Sequence, residues 1–351
     1  MTRRGRKPPK RVREAPQDLS AAIEALTFEV PPDEHKLRID RFLSERLTWR
    51  SRTSILELLS EGQVSVEGEV VTKKSHKLRQ GERVAVTVPP PDEPERHEEL
   101  AHELEERILH EDEDLIVINK PPGLVVHPVG RIRVNTLIQA LHWRFRHGAG
   151  AGEEVLGGSR PGQLGPVIPR ICHRLDRDTS GVLVVAKNAQ ARSRMQSVIE
   201  GAEVEKVYLA CVHGRPDPSE GDLQLAIGRD PDAENEIMMA IRPEGLAART
   251  HYAVGETIGE LSWVRFQIFT GRQHQIRVHA QALGTPVLCD ALYGLGETVW
   301  PTSGEAILTR QALHAHRMAF PRAQGLGQLE LEAPLPADLS ALRASQGLEE
   351  G

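Results

Sequence analysis

The sequence predicts an α+β protein with two folded domains. Its 351 residues are 39% hydrophobic and 27% charged, which is the balance of a globular protein. From about residue 108 to 340, β-branched runs such as LIVIN and VLVVA alternate with helical patterns such as NTLIQALHWRF, as in a mixed α+β domain. Residues 35–88 carry a smaller pattern of two helices followed by short strands. We therefore expect a small αβ domain in front of a larger one.

A basic tail precedes the first domain. Residues 3–13 carry seven Lys and Arg side chains, two prolines and no large apolar side chain. Such a segment cannot bury enough apolar surface to fold alone, so residues 1–34 are predicted to be disordered. The tail is either an electrostatic arm for phosphates or a solubilising or targeting segment.

In the small domain, residues 35–88, LRIDRFLSERL and SRTSILELLSEG have helical apolar spacing. QVSVEGEVV then predicts a hairpin that turns at Glu67 and Gly68. The basic side chains fall mainly on helix starts and turns, where they can reach a phosphate backbone, although a solvated surface would look partly similar. The candidate phosphate-binding residues here are Arg38, Arg41, Arg50, Arg52, Lys73 and Lys74.

Three segments read as connections rather than as domains. Residues 89–107 contain several prolines and then an acidic run, which predicts a linker. Residues 147–166 are rich in glycine and predict a loop inside the larger domain, which spans residues 108–340. Residues 341–351 are predicted to be a C-terminal tail.

Composition excludes several classes of protein. No apolar run approaches the roughly 20 residues that span a bilayer, and no apolar segment follows the basic N-terminus. The three cysteines are widely spaced, which favours neither disulfides nor a zinc site, and Cys211 and His213 are interpreted as packing residues. A net charge of -6 does not exclude nucleic acid as a partner, because the charges are segregated along the chain. We expect a cytoplasmic protein without a metal.

Two motifs concentrate polar residues. ICHRLDRDTSGVLVVAKN, residues 171–188, crowds charges into a turn between apolar segments, which indicates either a functional site or a surface ion-pair cluster. TGRQHQIRVHAQALG follows a strand and continues as a helix with an apolar stripe of Ile276, Ala280 and Leu283. Its cations would partly face a cleft that binds phosphate or a carboxylate. They are Arg272, His274, Arg277 and His279.

A strand near the middle of the chain carries a third element. Lys206 and Tyr208 are two residues apart, so both side chains point to the same face of the strand. A tyrosine at such a position is ordinarily half-buried core. His173, His274 and His279 lack the spacing of a zinc site, so they are interpreted as structural or phosphate-facing.

The motifs resemble two known families. Residues 35–88, with SRxxILxLLxxGxVxVxG, resemble an S4-type RNA-binding domain. INKPPGLVVHP, HRLDRDTSGVLVVAK, KVYLACVHG, TGRQHQIRVHAQALGTP and DALYG resemble the ordered motifs of the Rlu-type ribosomal RNA pseudouridine synthases. This second resemblance implies a mixed, largely antiparallel sheet flanked by helices, and no cofactor.

The resemblance also implies roles for individual residues. Asp176 would be the essential carboxylate, Tyr208 would lie against the target uracil, and Arg277 would pair with Asp176. Arg174 would fill the gap left by the flipped base. Because burial favours the protonated form of a carboxylate, a neighbouring arginine would keep it ionised. The other candidate RNA contacts of the domain are Lys206, Arg272, His274 and Ile276.

The expected activity is isomerisation of uridine to pseudouridine by a monomer acting on large-subunit ribosomal RNA or an assembling ribosomal subunit. The chemistry has no net redox change, so it needs no cofactor. Asp176 could act as a nucleophile, remove a sugar proton or stabilise positive charge on the sugar. Transfer RNA is the alternative substrate, and a non-catalytic RNA-binding assembly factor is the alternative class.

Overall fold

The structure is a computed structural model that describes most of the chain in two units. The described residues are 19, 25–47, 50, 52–88, 94–129, 132–147, 167–201, 203–233, 235, 237–296, 298–299, 307–322 and 327–348. The basic run of the predicted tail, and residues 148–166 of the predicted glycine-rich loop, lie outside them. Unit 1 comprises Met1–Glu95 with Pro128–Val134, and unit 2 comprises Arg96–His127 with Asn135–Gly351.

Unit 1 contains a four-stranded antiparallel sheet and two helices that share one apolar core. Ile39, Phe42 and Leu43 are fully buried at helical spacing. Glu67 and Gly68 both have positive φ, as a two-residue hairpin turn requires. In sheet order the strands are β1 (Ala25–Glu29), β4 (Arg83–Thr87), β2 (Val64–Val66) and β3 (Glu69–Val70), and the helices are α1 (Ile39–Arg46) and α2 (Arg52–Ser60).

The predicted boundary of the N-terminal tail at residue 34 is wrong. Residues Ala25–Glu29 form β1, which pairs with the whole length of β4. Val30 and Glu34 are buried, and Glu34 forms an ion pair of 2.9 Å with Arg46. The folded part of unit 1 therefore begins at least ten residues before His35, because its first strand completes the sheet edge.

Unit 2 is built on one ten-stranded mixed sheet. Its strands are β5 (Ile108–Glu111), β6 (Leu115–Lys120), β7 (Arg170–Ile171), β8 (Ser180–Ala186), β9 (Glu205–His213), β10 (Glu220–Leu223), β13 (Thr250–Ile258), β14 (Leu261–Ile268), β15 (Leu313–Pro321) and β16 (Gln328–Glu332). A separate hairpin joins β11 (Ile227–Arg229) to β12 (Met239–Ile241). The helices are α3 (His97–Glu105), α4 (Leu137–His147), α5 (Ala189–Glu200), α6 (Gln275–Ala282) and α7 (Ala337–Ser345).

The sheet runs β10-β13-β14-β9-β15-β8-β6-β5, with β16 beside β15 and β7 beside β8. Within the described residues only β15 and β8 pair in parallel, and all other pairs of this sheet are antiparallel. The predicted α+β class with a mixed, largely antiparallel sheet is confirmed. All seven residues of β8 are buried, as expected for a central strand.

Two other predicted boundaries are wrong, and both errors concern helices of unit 2. The predicted linker contains α3, whose Ala101 and Leu104 are buried and whose His102 ring contacts Trp143 of α4 edge-on at 5.6 Å. The predicted C-terminal tail contains the second half of α7, where Leu342 is buried. None of the helices that the structure describes could cross a membrane.

Candidate active site

Asp176 lies in the turn between β7 and β8, and its side chain is 27% exposed. Its backbone carbonyl accepts a hydrogen bond of 3.2 Å from the amide of Thr179, which closes the turn. Gly181 follows at the start of β8 with φ +110°, and a Cβ there would lie 2.1 Å from the carbonyl oxygen of Ala315. Only glycine permits this close approach of β8 to β15. Gly181 therefore fixes the point at which the turn ends and β8 begins.

Two cations hold the backbone of the same turn. Lys120 is fully buried, and its Nζ donates to the carbonyl of Arg177 at 2.8 Å and to two carbonyls of its own loop. Nη1 of Arg310 donates to the carbonyl of Asp178 at 2.8 Å, while its Nε and Nη2 pair with Asp338. Burial lowers the pKa of Lys120 to about 7. The residues on either side of the turn's centre are thus anchored from the interior.

The N-terminus of α6 is shaped by Gln275. Its Oε1 accepts hydrogen bonds from the hydroxyl of Thr270 at 2.8 Å and from the amide of Arg272 at 3.0 Å. Its Nε2 donates to the carbonyl of Arg249 at 3.0 Å. His274, at the N-cap, adopts a left-handed conformation with φ 56°. This local structure turns the start of the helix, and with it Arg277, toward Asp176.

Arg277 joins two carboxylates. Its Nη1 donates to Oδ2 of Asp176 at 3.0 Å, and its Nε and Nη2 donate to Oδ2 and Oδ1 of Asp290 at 2.6 and 2.7 Å. The side chain of Arg277 is only 5% exposed. Burial disfavours its charge, but Asp290 and Asp176 together raise its pKa. A guanidinium held in this way remains charged and presents one N–H to Asp176.

Asp290 and Tyr293 belong to the DALYG segment and complete the site. Asp290 is fully buried, and its Oδ1 also accepts from the amides of Leu292 and Tyr293. Burial opposes the ionisation of Asp290, yet the bonds from Arg277 lower its pKa. The ring of Tyr293 lies 5.0 Å from the guanidinium carbon of Arg277, a cation–π distance.

Tyr208 and Lys206 lie in the central strand β9, as predicted. Tyr208 is 8% exposed and Lys206 is 7% exposed. Burial and the charge of Asp176 raise the pKa of Tyr208, so the phenol stays neutral. Burial also lowers the pKa of Lys206.

The histidines of the two motifs have different surroundings. Nε2 of His173 accepts a hydrogen bond of 3.0 Å from the amide of Val184, and burial lowers its pKa to about 3. His279 is fully buried against Thr250 and the carbonyl of Leu225. These two rings are structural. His274 differs, because its Nε2 lies 3.9 Å from Oδ1 of Asp176.

The remaining candidate RNA-binding residues of unit 2 differ in exposure. Arg174, two residues before Asp176, is exposed. Arg272 is half-buried, and its Nε donates to the carbonyl of Ala247 at 2.9 Å. Ile276 is 4% exposed and belongs to the core. The predicted stripe on α6 is broader than expected, since all residues from Gln275 to Ala280 are buried. Contacts of these residues with RNA stay predictions.

The candidate RNA-binding residues of unit 1 are mostly exposed, at helix starts and in turns. Arg41 and Arg52 have side chains that are 71% and 75% exposed, and Lys73 and Lys74 are exposed as well. Arg38 donates from Nε and Nη2 to Asp40 at 3.0 and 2.8 Å.

Arg50 differs from the other cations of unit 1. It is half-buried and donates to the hydroxyl of Ser54 at 3.0 Å. Burial and the charge of Arg133 lower its pKa. Arg50 therefore has a local packing partner, whereas most of the set faces solvent.

Within the part of the chain that the structure describes, no three His, Cys, Asp or Glu side chains are grouped so that they could hold a metal ion.

Four residues of the site were not predicted individually from the sequence: Lys120, Asp290, Tyr293 and Arg310. DALYG and INKPPG were recognised as family motifs, and this was the only available signal for the first three. Nothing in the sequence around Arg310 indicates that it anchors the turn.

Comparison with known proteins identifies the family of this chain. Residues 114–282 match the family model described as RNA pseudouridylate synthase, and residues 37–84 match the S4 domain. An uncharacterised RNA pseudouridine synthase of Bacillus subtilis is 36% identical over 87% of this chain and 92% of its own length. Ribosomal large subunit pseudouridine synthase D of Vibrio parahaemolyticus is 36% identical over 90% and 93% of the two chains.

A solved structure supports the same assignment. Human RNA pseudouridylate synthase domain containing 4 superimposes with a TM-score of 0.54 and 27% identity, over 72% of this chain and 98% of that one. The two family models together match residues of both units. The chain therefore belongs to the Rlu-type RNA pseudouridine synthases, isomerases that convert uridine to pseudouridine in RNA, and it carries an S4 domain ahead of its catalytic domain.

Proposed function

We propose that this enzyme isomerises specific uridines of large-subunit ribosomal RNA, with Asp176 as the catalytic carboxylate. The observation that carries the proposal is the Arg277 bridge, which presents one N–H to a partly exposed Asp176 while a buried Asp290 holds the other face. The Vibrio relative named for the large ribosomal subunit supports the choice of RNA. We further propose that the protein acts in the cytoplasm as a monomer.

The reaction breaks the bond from N1 of uracil to C1′ of the ribose and forms a bond from C5 to C1′. The hydrogen on C5 is lost and N1 gains one, so the product is an isomer and no electrons are exchanged with a cofactor. Asp176 acts at the sugar, either by attacking C1′ or by removing a proton from C2′. Both routes need an ionised carboxylate, and Arg277 donates a hydrogen bond of 3.0 Å to Oδ2 of Asp176.

Tyr208 is proposed to stack against the target uracil. Its pKa is raised by burial, so the phenol is a poor base for the proton on C5. An aromatic ring beside Asp176 is suited to stack on a base that reaches the carboxylate. Stacking and hydrogen bonding are therefore its proposed roles, and proton removal is not.

The target uridine must leave its helix before it can reach Asp176. Flipping costs a few kcal/mol, roughly, which contacts with the protein must offset. Arg174 is proposed to occupy the space that the base vacates, because it is exposed and lies two residues before Asp176. Its guanidinium can stack on bases and contact phosphates at the same time.

Unit 1 is proposed to supply a second RNA surface. Arg41, Arg52, Lys73 and Lys74 offer exposed positive charge at helix starts and in a turn. Arg38 adds charge just before α1 and Arg50 just before α2, with Arg38 oriented by the buried Asp40. An additional basic surface of this kind helps to select one site within a large folded RNA.

The test is carbodiimide mapping of pseudouridine in ribosomal and transfer RNA from cells that lack the protein. We expect signals to vanish from large-subunit RNA and to return with the wild-type protein but not with Asp176→Asn. Loss from transfer RNA alone would contradict the proposed substrate and leave the reaction intact. Restoration of the signals by Asp176→Asn would contradict the catalytic role of Asp176.

A further inference from the structure

A chain of polar groups leads toward Oδ1, the second carboxylate oxygen of Asp176. The amide of Met239 donates to the phenol oxygen of Tyr293 at 2.8 Å. That oxygen lies 2.7 Å from Nδ1 of His274, and Nε2 of His274 lies 3.9 Å from Oδ1 of Asp176. Arg277 holds only Oδ2 of Asp176. The chain therefore ends at the carboxylate oxygen that Arg277 does not contact.

The directions of these hydrogen bonds can be assigned from their donors. A backbone amide can only donate, so it occupies one lone pair of the Tyr293 oxygen, and among the described residues Nδ1 of His274 is the acceptor within reach of the phenol proton. Burial raises the pKa of Tyr293, which keeps that proton in place. A neutral imidazole that accepts at Nδ1 carries its own proton at Nε2. The N–H of Nε2 then points toward Asp176.

His274 is placed for this task by its backbone and by its surroundings. It has φ 56° at the N-cap of α6, and its ring packs edge-on against Tyr293 at 5.5 Å between centroids. Its side chain is 8% exposed, which leaves little freedom to rotate. A closing movement of about 1 Å would bring Nε2 to hydrogen-bond distance from Oδ1. Hydrogen bonds of catalytic groups are often long before substrate binds and shorten in the complex.

We propose that Tyr293 and His274 are positioning residues for the isomerisation: Tyr293 sets the tautomer of His274, whose Nε2–H holds Oδ1 of Asp176 in the substrate complex. This proposal rests on the proposed catalytic role of Asp176. Arg277 and His274 then fix one carboxylate oxygen each, which sets the angle at which the carboxylate meets the ribose. In this arrangement His274 holds the carboxylate of Asp176 and does not make the RNA contact that was predicted from the sequence.

The charges around His274 agree with a neutral ring. Burial lowers its pKa, the charges of Asp176 and Asp290 oppose that, and Arg277 and Arg174 act in the same direction as burial. The net direction is downward. At neutral pH, His274 therefore depends on Tyr293 to hold the proton on Nε2, whereas an imidazolium would carry protons on both nitrogens.

The test compares Tyr293→Phe with Tyr252→Phe in the full-length enzyme under single-turnover conditions. Tyr252 is a matched control, since it is 2% exposed and its hydroxyl also donates a single hydrogen bond, to the carbonyl of Pro218. We expect Tyr293→Phe to lower the rate of the chemical step about threefold to tenfold, with RNA affinity unchanged, and Tyr252→Phe to have no such effect. Equal rates for the two variants would overturn the proposal.

The pH profile separates positioning from a general structural effect. In Tyr293→Phe, acid protonates His274 and restores the Nε2–H without help from residue 293. We therefore expect the ratio of variant to wild-type rate to rise as the pH falls from 8 to 5.5. A ratio that stays constant over this range would overturn the proposal, because a packing defect would not respond to the charge of His274.

A double variant tests whether Tyr293 acts through His274. Asparagine tolerates the left-handed backbone at position 274 but cannot reach Asp176, so His274→Asn removes the donor without straining the helix start. Adding Tyr293→Phe to His274→Asn should cause no further loss. Additive losses would show that Tyr293 works independently of His274. If Asp176→Asn retains wild-type activity, the proposed function fails instead, whatever the two positioning variants do.

Discussion

Arg277 contacts two aspartates whose surroundings differ sharply. Asp290 is fully buried and accepts hydrogen bonds from two nitrogens of Arg277 and from two backbone amides. Asp176 is 27% exposed and accepts one hydrogen bond from Arg277. Asp290 is thus enclosed by protein donors, whereas Asp176 stays partly open to solvent. One guanidinium is thus held in place by Asp290 and presents its remaining nitrogen to Asp176.

The same division runs through the HRLD segment. His173 faces inward and accepts the amide of Val184, while Asp176 faces the site three residues later. Lys120 and Arg310 bind the carbonyls of the two residues after Asp176. Buried and half-buried side chains therefore hold the turn that carries Asp176, mainly by contacts to its backbone.

The largest effect on stability is expected when the buried partner of Arg277 loses its charge. Asp290→Asn should lower the free energy of unfolding by about 3–5 kcal/mol, because a buried arginine is left without its main counter-charge. Urea denaturation at neutral pH measures this loss. The control is Asp222→Asn, in which an exposed pair with Arg249 is removed at a cost of under about 1 kcal/mol. Similar losses in both variants would show that the buried Asp290 matters no more for stability than an exposed aspartate.

A smaller, pH-dependent effect is expected at His173. Its folded-state pKa is about 3, below the ordinary value of 6.5. The unfolded chain therefore binds more protons between these values, so stability is present above pH 6.5 and is lost as the pH falls toward 3. At pH 5 this cost is about 2 kcal/mol.

His173→Gln removes the titrating group and keeps a hydrogen-bond acceptor for Val184. Denaturation curves at pH 7.5 and pH 5 should show that the wild type loses about 2 kcal/mol more than the variant over this interval. Equal losses would mean that His173 is accessible to protons in the folded state. That outcome would contradict the structural role assigned to His173.

The smallest effect is expected on the surface of unit 1. Arg41→Gln should reduce the slope of log affinity for RNA against log salt by about 1, which corresponds to one lost phosphate contact. Arg265→Gln in β14 is the control, because its side chain is also mostly exposed, at 57% against 71% for Arg41. Filter binding at several salt concentrations measures both slopes. A change of the same size for Arg265 would show that the basic surface extends beyond unit 1.

Local patterns predicted much of the fold. Helical spacing located α1 through Ile39, Phe42 and Leu43, and period-two alternation placed Lys206 and Tyr208 in one strand. Ala25–Glu29 was missed because its strand depends on β4, which lies more than fifty residues further along the chain. The helix His97–Glu105 was missed because its charged residues outnumber Ala101 and Leu104, its main buried apolar contacts.

The site was predictable to the extent that family motifs mark it. Asp176 and Arg277 were paired from resemblance, and the structure gives their contact as 3.0 Å. The resemblance did not show that Arg277 also binds Asp290, that Lys120 donates to the carbonyl of Arg177, or that Tyr293 lies within hydrogen-bond distance of His274. Each of these depends on burial and on partners distant in sequence, which residue types and spacing do not encode.

We propose that Asp176 is the catalytic carboxylate and that the surrounding side chains hold it in position. Tritium release from RNA labelled at C5 of uridine, under single-turnover conditions, tests it most directly with wild type and Asp176→Asn. We expect the rate of tritium release to be at least about 10³-fold lower for the variant, with unchanged RNA affinity and an unchanged unfolding curve. A rate within about tenfold of the wild type would contradict it.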